Sequence, residues 1–193
     1  MRTIAFLFLI FALFVAFGCG GGSSDDDDAI PGDDDDINDD DDLIDDDDDT
    51  VSGDTWTDPV SGLTWQVTPS DDGFAWEQAK FYCESLSLNE GGWRLPSISE
   101  LRTLIRDCAD TETGGACGVT DSCLDLGCSN EDCNGCGPFG GCHWPSQLNG
   151  DCLWYWSSCG LTDNDDLAWG VYFNNGGVVS IYIDEAWNVR CVR

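Results

Sequence analysis

Gly91-Gly92-Trp93-Arg94-Leu95-Pro96-Ser97-Ile98-Ser99-Glu100-Leu101 is the stretch on which the fold turns. The glycine pair interrupts any regular element before it. Ser97 has the place of a helix N-cap and Glu100 stands three residues on, the two halves of a capping box. A short helix from Ile98 to Ile105 follows, with Ile98, Leu101 and Ile105 on one side. Upstream, Phe74 to Leu86 repeats the helical spacing. Trp76, Ala79, Cys83 and Leu86 can share its inner face, and Asp71 or Asp72 is available as its cap.

Strand patterns flank the two helices. Thr55-Trp56-Thr57 and Leu63-Thr64-Trp65-Gln66-Val67 read as short strands around the turn Asp58-Pro59-Val60-Ser61-Gly62. Trp154-Tyr155-Trp156-Ser157-Ser158 is a third. Ala168 to Phe173 and Val178 to Ile183 form a hairpin around Asn174-Asn175-Gly176-Gly177, and Asn188 to Val192 is a last short strand. This is an α+β pattern. Between helices and hairpin, residues 107–152 are rich in Gly, Asp and Cys and lack periodicity. They read as a loop insertion stapled by cysteines, since a loop so long would otherwise have no reason to be ordered.

The first 50 residues differ from the rest. Arg2 followed by an apolar run from Ile4 to Phe17 has the form of an export signal and is too short to span a membrane. The run ends Ala16-Phe17-Gly18-Cys19, which resembles the bacterial lipoprotein box. Residues 1–19 are then a lipoprotein signal peptide and Cys19 is the lipidated residue. Residues 20–50 carry 17 Asp between Asp25 and Asp49. They hold too little apolar surface to offset the entropy of ordering and are expected to be a disordered, self-repelling tether. The folding unit is residues 51–193. The chain is thereby expected to be exported and lipid-anchored at the outer membrane or cell surface.

Charge narrows the partners. The 193 residues include 38 acidic and 7 basic ones, a formal net charge of −31. Beyond the tether, 21 acidic residues face 6 basic ones. Such a surface repels phosphate backbones, so nucleic acid is excluded as a partner. Cationic partners, divalent metals and neutral glycans stay open.

Four landmarks in order carry a family resemblance: Asp58-Pro59-Val60-Ser61-Gly62-Leu63-Thr64-Trp65; Tyr82-Cys83-Glu84-Ser85-Leu86; Trp93-Arg94-Leu95-Pro96 with Glu100-Leu101; and Tyr155-Trp156-Ser157-Ser158 with Val189-Arg190-Cys191-Val192-Arg193. The set resembles the Lcl C-terminal domain family, the C-terminal domain of collagen-like adhesins, over residues 54–193 apart from the insertion. The resemblance implies a fold similar to C-type lectins and the formylglycine-generating enzyme: two helices on short, twisted antiparallel strands, here with a disulfide-rich loop insertion. It also implies a Cys83–Cys191 disulfide and binding of an extracellular glycan or surface protein. An adhesin-type binding module without catalysis is the first expectation. A structural envelope protein crosslinked through its cysteines, and an enzyme of unknown reaction, are the alternatives.

Several residues could do chemistry. Besides Cys83, Cys191 and Cys19, nine cysteines remain, so one is left free or intermolecular. Cys133, Cys136, Cys142 and His143 have zinc-like spacing, but export into an oxidising compartment favours disulfides. Cys142 next to His143 is poor geometry for a catalytic pair. Trp65, Trp76, Trp93 and Trp156 belong to the landmarks and are assigned to the core. Trp144, Trp154, Trp169 and Trp187 are the candidate ligand-binding aromatics. Asp163, Asp165 and Asp166 are a weak Ca²⁺ set; no other cofactor is required. Trp187-Asn188 resembles the start of the lectin Trp-Asn-Asp calcium motif, with Val189 in place of the last residue.

Overall fold

The structure, a computed structural model, describes residues 51–137 and 141–193. The signal segment, Cys19 and the Asp-rich tether lie outside the described residues. The described unit is α+β, with two helices, two antiparallel sheets and five disulfides.

Strands β1 (Val51–Ser52), β2 (Thr55–Thr57) and β3 (Thr64–Gln66) form an antiparallel meander. The β2–β3 turn closes on Asp58, whose carboxylate accepts from the backbone N–H groups of Val60 and Ser61 and from the Ser61 hydroxyl. Strands β4 (Trp154–Gly160), β5 (Leu167–Tyr172) and β6 (Gly177–Tyr182) form a second meander. The expected hairpin is β5–β6, its turn running through Gly176 at φ +69°.

Helix α1 (Trp76–Ser85) buries Ala79 and Cys83. Its N-cap is Ala75, without a side-chain cap, rather than Asp71 or Asp72. The cause is a constraint upstream. Phe74 exchanges two backbone hydrogen bonds with Trp187 (2.8 and 3.1 Å), so the helix can start only after the chain leaves that bridge, and the Ile183 carbonyl takes the N–H of Trp76. Helix α2 (Ile98–Arg102) has the capping box read from sequence: Ser97 Oγ accepts from Glu100 N and Glu100 accepts from Ser97 N. It is shorter than expected because residues 103–105 tighten into i→i+3 bonds.

The β4–β6 sheet separates two cores. One face carries Tyr155, Trp169, Val171 and Phe173 into a cluster with Trp65, Ile98, Leu101 and Ile105. The other carries Trp156 and Ala168 into a cluster with Ala79, Cys83, Trp93 and Leu95. Trp65, Trp156 and Trp169 are fully buried, each contributing on the order of 2–3 kcal/mol by removal from water. Gly170 allows the close crossing beneath Trp156: a Cβ there would stand 2.4 Å from the Tyr155 carbonyl oxygen.

Residues 187–193 form no regular strand. They run extended between the two halves and change partner at each step, pairing with Phe74, Trp154, Trp156, Ser70, Gln66, Arg94 and Thr64 in turn. Period-2 alternation survives: Val189 and Cys191 enter one core and Val192 the other. The Cys83–Cys191 disulfide ties this segment to α1.

The insertion staples itself through Cys108–Cys136, Cys117–Cys133, Cys123–Cys128 and Cys142–Cys152. It is also part of the core, since Cys117, Val119, Cys133 and Leu148 are buried in the first cluster. Two buried arginines hold it. Arg102 donates to the carbonyls of Thr111, Glu112 and Val119. Arg190 donates to the carbonyls of Gln66, Val67 and Asn149 and lies over the ring of Trp144 at 4.8 Å. Burial pulls Arg190 down to about 10, so it remains a cation at neutral pH.

Candidate functional site

The four candidate tryptophans separate into two pairs. Trp169 is 1% exposed and its indole donates to the Leu124 carbonyl at 2.9 Å. Trp144 is 9% exposed, packed edge-on against Tyr155 and Phe173 and facing Arg190. Both are core residues, which corrects the expectation that they face a ligand. Strand alternation turns Trp169 inward, and the arginine beneath Trp144 recruits its ring face.

Trp154 and Trp187 are instead brought together. Tyr172 stacks on Trp154 at 4.4 Å and 12°, Trp154 meets Trp187 at 5.3 Å, and Trp187 stacks on buried Trp156 at 5.0 Å. The register explains the first contact, because Trp154 and Tyr172 are directly opposed on β4 and β5. The ladder thus starts in the core at Trp156 and emerges at Trp154, which is 38% exposed. Trp76, Trp93 and Trp156 spend their indole N–H groups on the carbonyls of Ser157, Leu88 and Phe74. Among the described residues the indoles of Trp154 and Trp187 and the Tyr172 hydroxyl have no hydrogen-bond partner. The ladder therefore combines apolar ring edges with three side-chain donors that no described residue takes.

A notch of about 200 Å³ adjoins it, lined in part by Asp71, Asp151, Tyr155 and Asn188. Asn188 follows Trp187 in the chain and its N–H binds the Trp154 carbonyl, so notch and ladder share a backbone. The Asp71 and Asp151 carboxylates are exposed acceptors. Burial raises the Tyr155 phenol, which stays protonated and donates to the Asp151 carbonyl at 3.1 Å. Tyr172 and Asp151 were not singled out from sequence, and Asn188 was named only within the calcium-like tripeptide. The strand register gives Tyr172, whereas the other two depend on the irregular path of residues 187–193.

The remaining candidates do not form a site. Asp163, Asp165 and Asp166 are not gathered: the Asp163 carboxylate accepts from Leu126 N at 3.1 Å, and no cluster of metal-ligand atoms among the described residues includes them. The one cluster found, Cys123, Asp125 and Cys128, has both sulfurs in a disulfide. Cys133, Cys136 and Cys142 are likewise oxidised, which removes the zinc reading. Buried His143 places Nδ1 2.7 Å from the Arg106 carbonyl. Val189, at the last position of the calcium-like tripeptide, is a core residue.

Among the described residues the unpaired cysteine is Cys159. Its sulfur accepts from Ile98 N at 3.3 Å and lies 3.8 Å from an Asp121 carboxylate oxygen. Burial and the nearby Asp121 charge push the thiol up, and the Ile98 N–H offsets part of that. A protonated, half-buried thiol is a poor nucleophile.

These features define a disulfide-stapled α+β domain with an aromatic ladder on its surface. The Lcl C-terminal domain model matches residues 54–193, and the chain belongs to that family. Membership fits an adhesin-like, surface-associated domain. Comparison with curated proteins gives no match. Among the described residues no helix is long and apolar enough to cross a membrane.

Proposed function

We propose that the chain is a non-catalytic binding module of C-type-lectin-like fold, held at the cell surface by a lipid on Cys19, that recognises an extracellular glycan. One observation carries the reading. The Tyr172–Trp154–Trp187 ladder reaches the surface with its N–H and O–H donors unspent beside the carboxylate-lined notch. A polyhydroxylated ligand offers matching features, C–H faces for the rings and hydroxyls that both donate and accept.

The structural-crosslinker alternative draws less support, because the free thiol is half-buried, hydrogen-bonded and shifted away from its reactive form. A thiol enzyme is disfavoured on the same ground.

Screening the full chain on a glycan array, with and without Ca²⁺, tests the reading. It predicts hits that vanish in Trp154→Ala. An empty array in both conditions rejects it. Mass spectrometry of the mature protein tests the anchor separately, through the added acyl mass on Cys19.

A further inference from the structure

The ladder continues onto α1. Phe74 and Trp187 exchange both backbone bonds, so their side chains leave the same side of that two-stranded bridge. Phe74 in turn stacks on Tyr82 at 5.1 Å. Beside that pair lies an open trough of about 550 Å³, lined by Phe74, Gln78, Phe81, Tyr82 and Ser85. Residues 78, 81, 82 and 85 follow the i, i+3, i+4, i+7 spacing of one helical stripe. This is a second stripe on α1, distinct from the inner one of Ala79 and Cys83. Phe81 is 68% exposed in it, and nothing in the fold requires an aromatic ring there. Ladder and trough together form a strip of aromatics too long for one sugar ring.

The charge along the strip is one-sided. Asp71, Asp72, Glu84, Asp151, Asp184 and Glu185 are all exposed, and each stands within three residues of a strip aromatic. Every lysine and arginine among the described residues is engaged elsewhere. Arg94 is held by Glu100, and Arg102 and Arg190 are buried on carbonyls. Arg106 caps carbonyls beside Asp58, and Arg193 binds the Asn89 carbonyl over the ring of Trp93. Lys80, the single basic residue on α1, is paired with Glu77 and seated 3.2 Å from the Trp76 ring centroid. Among the described residues no free cation is left to meet a sulfate or uronate.

Building on the glycan reading above, we infer that the strip takes a cationic polymer: a polysaccharide of hexosamine units with free amino groups, lying along Tyr172, Trp154, Trp187, Phe74, Tyr82 and Phe81. The ammonium groups meet the acidic rim, while the sugar bodies lie against the apolar ring edges.

Three hexasaccharides of equal length test this on the full chain by calorimetry: the glucosamine hexamer, its fully N-acetylated counterpart and a sulfated hexamer. At about 0.05 M salt the glucosamine hexamer should bind at least roughly tenfold tighter than the acetylated one, with the gap closing near about 0.5 M as screening sets in. Phe81→Ala should weaken the hexamer roughly tenfold and leave the glucosamine dimer unaffected. Asp72→Asn combined with Asp184→Asn, both exposed and outside the notch, should erase the preference without lowering acetylated-hexamer binding. Phe81 is exposed, so an unchanged melting temperature separates these effects from misfolding. Equal affinity for the two hexamers, or preference for the sulfated one, overturns the cationic assignment. If that binding still requires Trp154, the glycan reading survives. Binding of none of the three overturns the cationic assignment, and the array then decides the glycan reading independently.

Discussion

The Cys-rich insertion and the aromatic strip are the two least ordinary regions of this molecule, and they are held together by opposite means. The insertion contains eight of the ten paired cysteines, its own tryptophan is buried, and buried Arg102 and Arg190 bind its carbonyls. The strip contains no cysteine. It is built from stacked rings on β4, β5, α1 and residues 187–188, and it surfaces with polar groups unspent. Disulfides mark where a chain cannot fold by burial alone, and that need not be where it binds. The insertion is mainly scaffold, lending Asp151 to the notch, and the aromatic strip lies on β4, β5, α1 and the extended residues beside them.

The largest expected effect separates the long staple from the short ones. Cys83–Cys191 closes a loop of 108 residues and Cys123–Cys128 one of 5. In the chain-entropy model, replacing the first pair by alanine costs about 4–5 kcal/mol and the second about 2 kcal/mol. Urea titration of the two double variants checks this, and equal losses would show that the insertion is as integral as the α1 staple.

Next come the tryptophans that sequence could not tell apart. Trp169→Ala removes a fully buried ring and its hydrogen bond and should cost about 3–5 kcal/mol. Trp154→Ala, at 38% exposure, should cost nearer about 1 kcal/mol while abolishing ligand binding. Comparable stability losses in thermal melts would erase the distinction between core and strip.

Arg190→Lys should cost about 3 kcal/mol. One ammonium cannot reach all three carbonyls that the guanidinium serves, and a buried charge is left poorly matched. A variant within about 0.5 kcal/mol of the parent would show that Arg190 does not join the insertion to residues 66–67.

The smallest effect concerns pH. The Arg94 guanidinium, followed by the Ser97 N–H, holds the Glu100 carboxyl below the usual range, against the opposing effect of burial. A depressed folded value means that this stabilisation is present above the unfolded range, near pH ~4.3, and is lost as pH falls through the folded value. The pair is partly exposed, so Glu100→Gln should cost only about 0.5–1 kcal/mol at neutral pH and flatten the acid side of the stability curve. An acid limb unchanged in the variant would remove Glu100 from the account.

Much of this fold was legible. The capping box at Ser97, the hairpin across Gly176 and the inner face of α1 follow from local spacing, which the tertiary structure leaves in place. The start of α1 was not, because the Phe74–Trp187 bridge joins residues 113 positions apart and overrides the local caps. Nor was the path of residues 187–193: their alternation shows, but each residue pairs with a different segment, so no strand pattern forms. At the site, Trp154 and Trp187 were legible as aromatics near loops. Trp144 and Trp169 share that description and lie buried, because Arg190 draws in one ring and strand parity turns in the other. Nor was the setting of Asp163 legible: its carboxylate accepts from the backbone of Leu126, distant in sequence.

The indole N–H signals of the nine tryptophans, followed in a ¹H–¹⁵N spectrum while the glucosamine hexamer is added, test the division most directly. Trp154 and Trp187 should move with the titration while Trp144 and Trp169 stay fixed. Shifts confined to Trp144 and the insertion would contradict it.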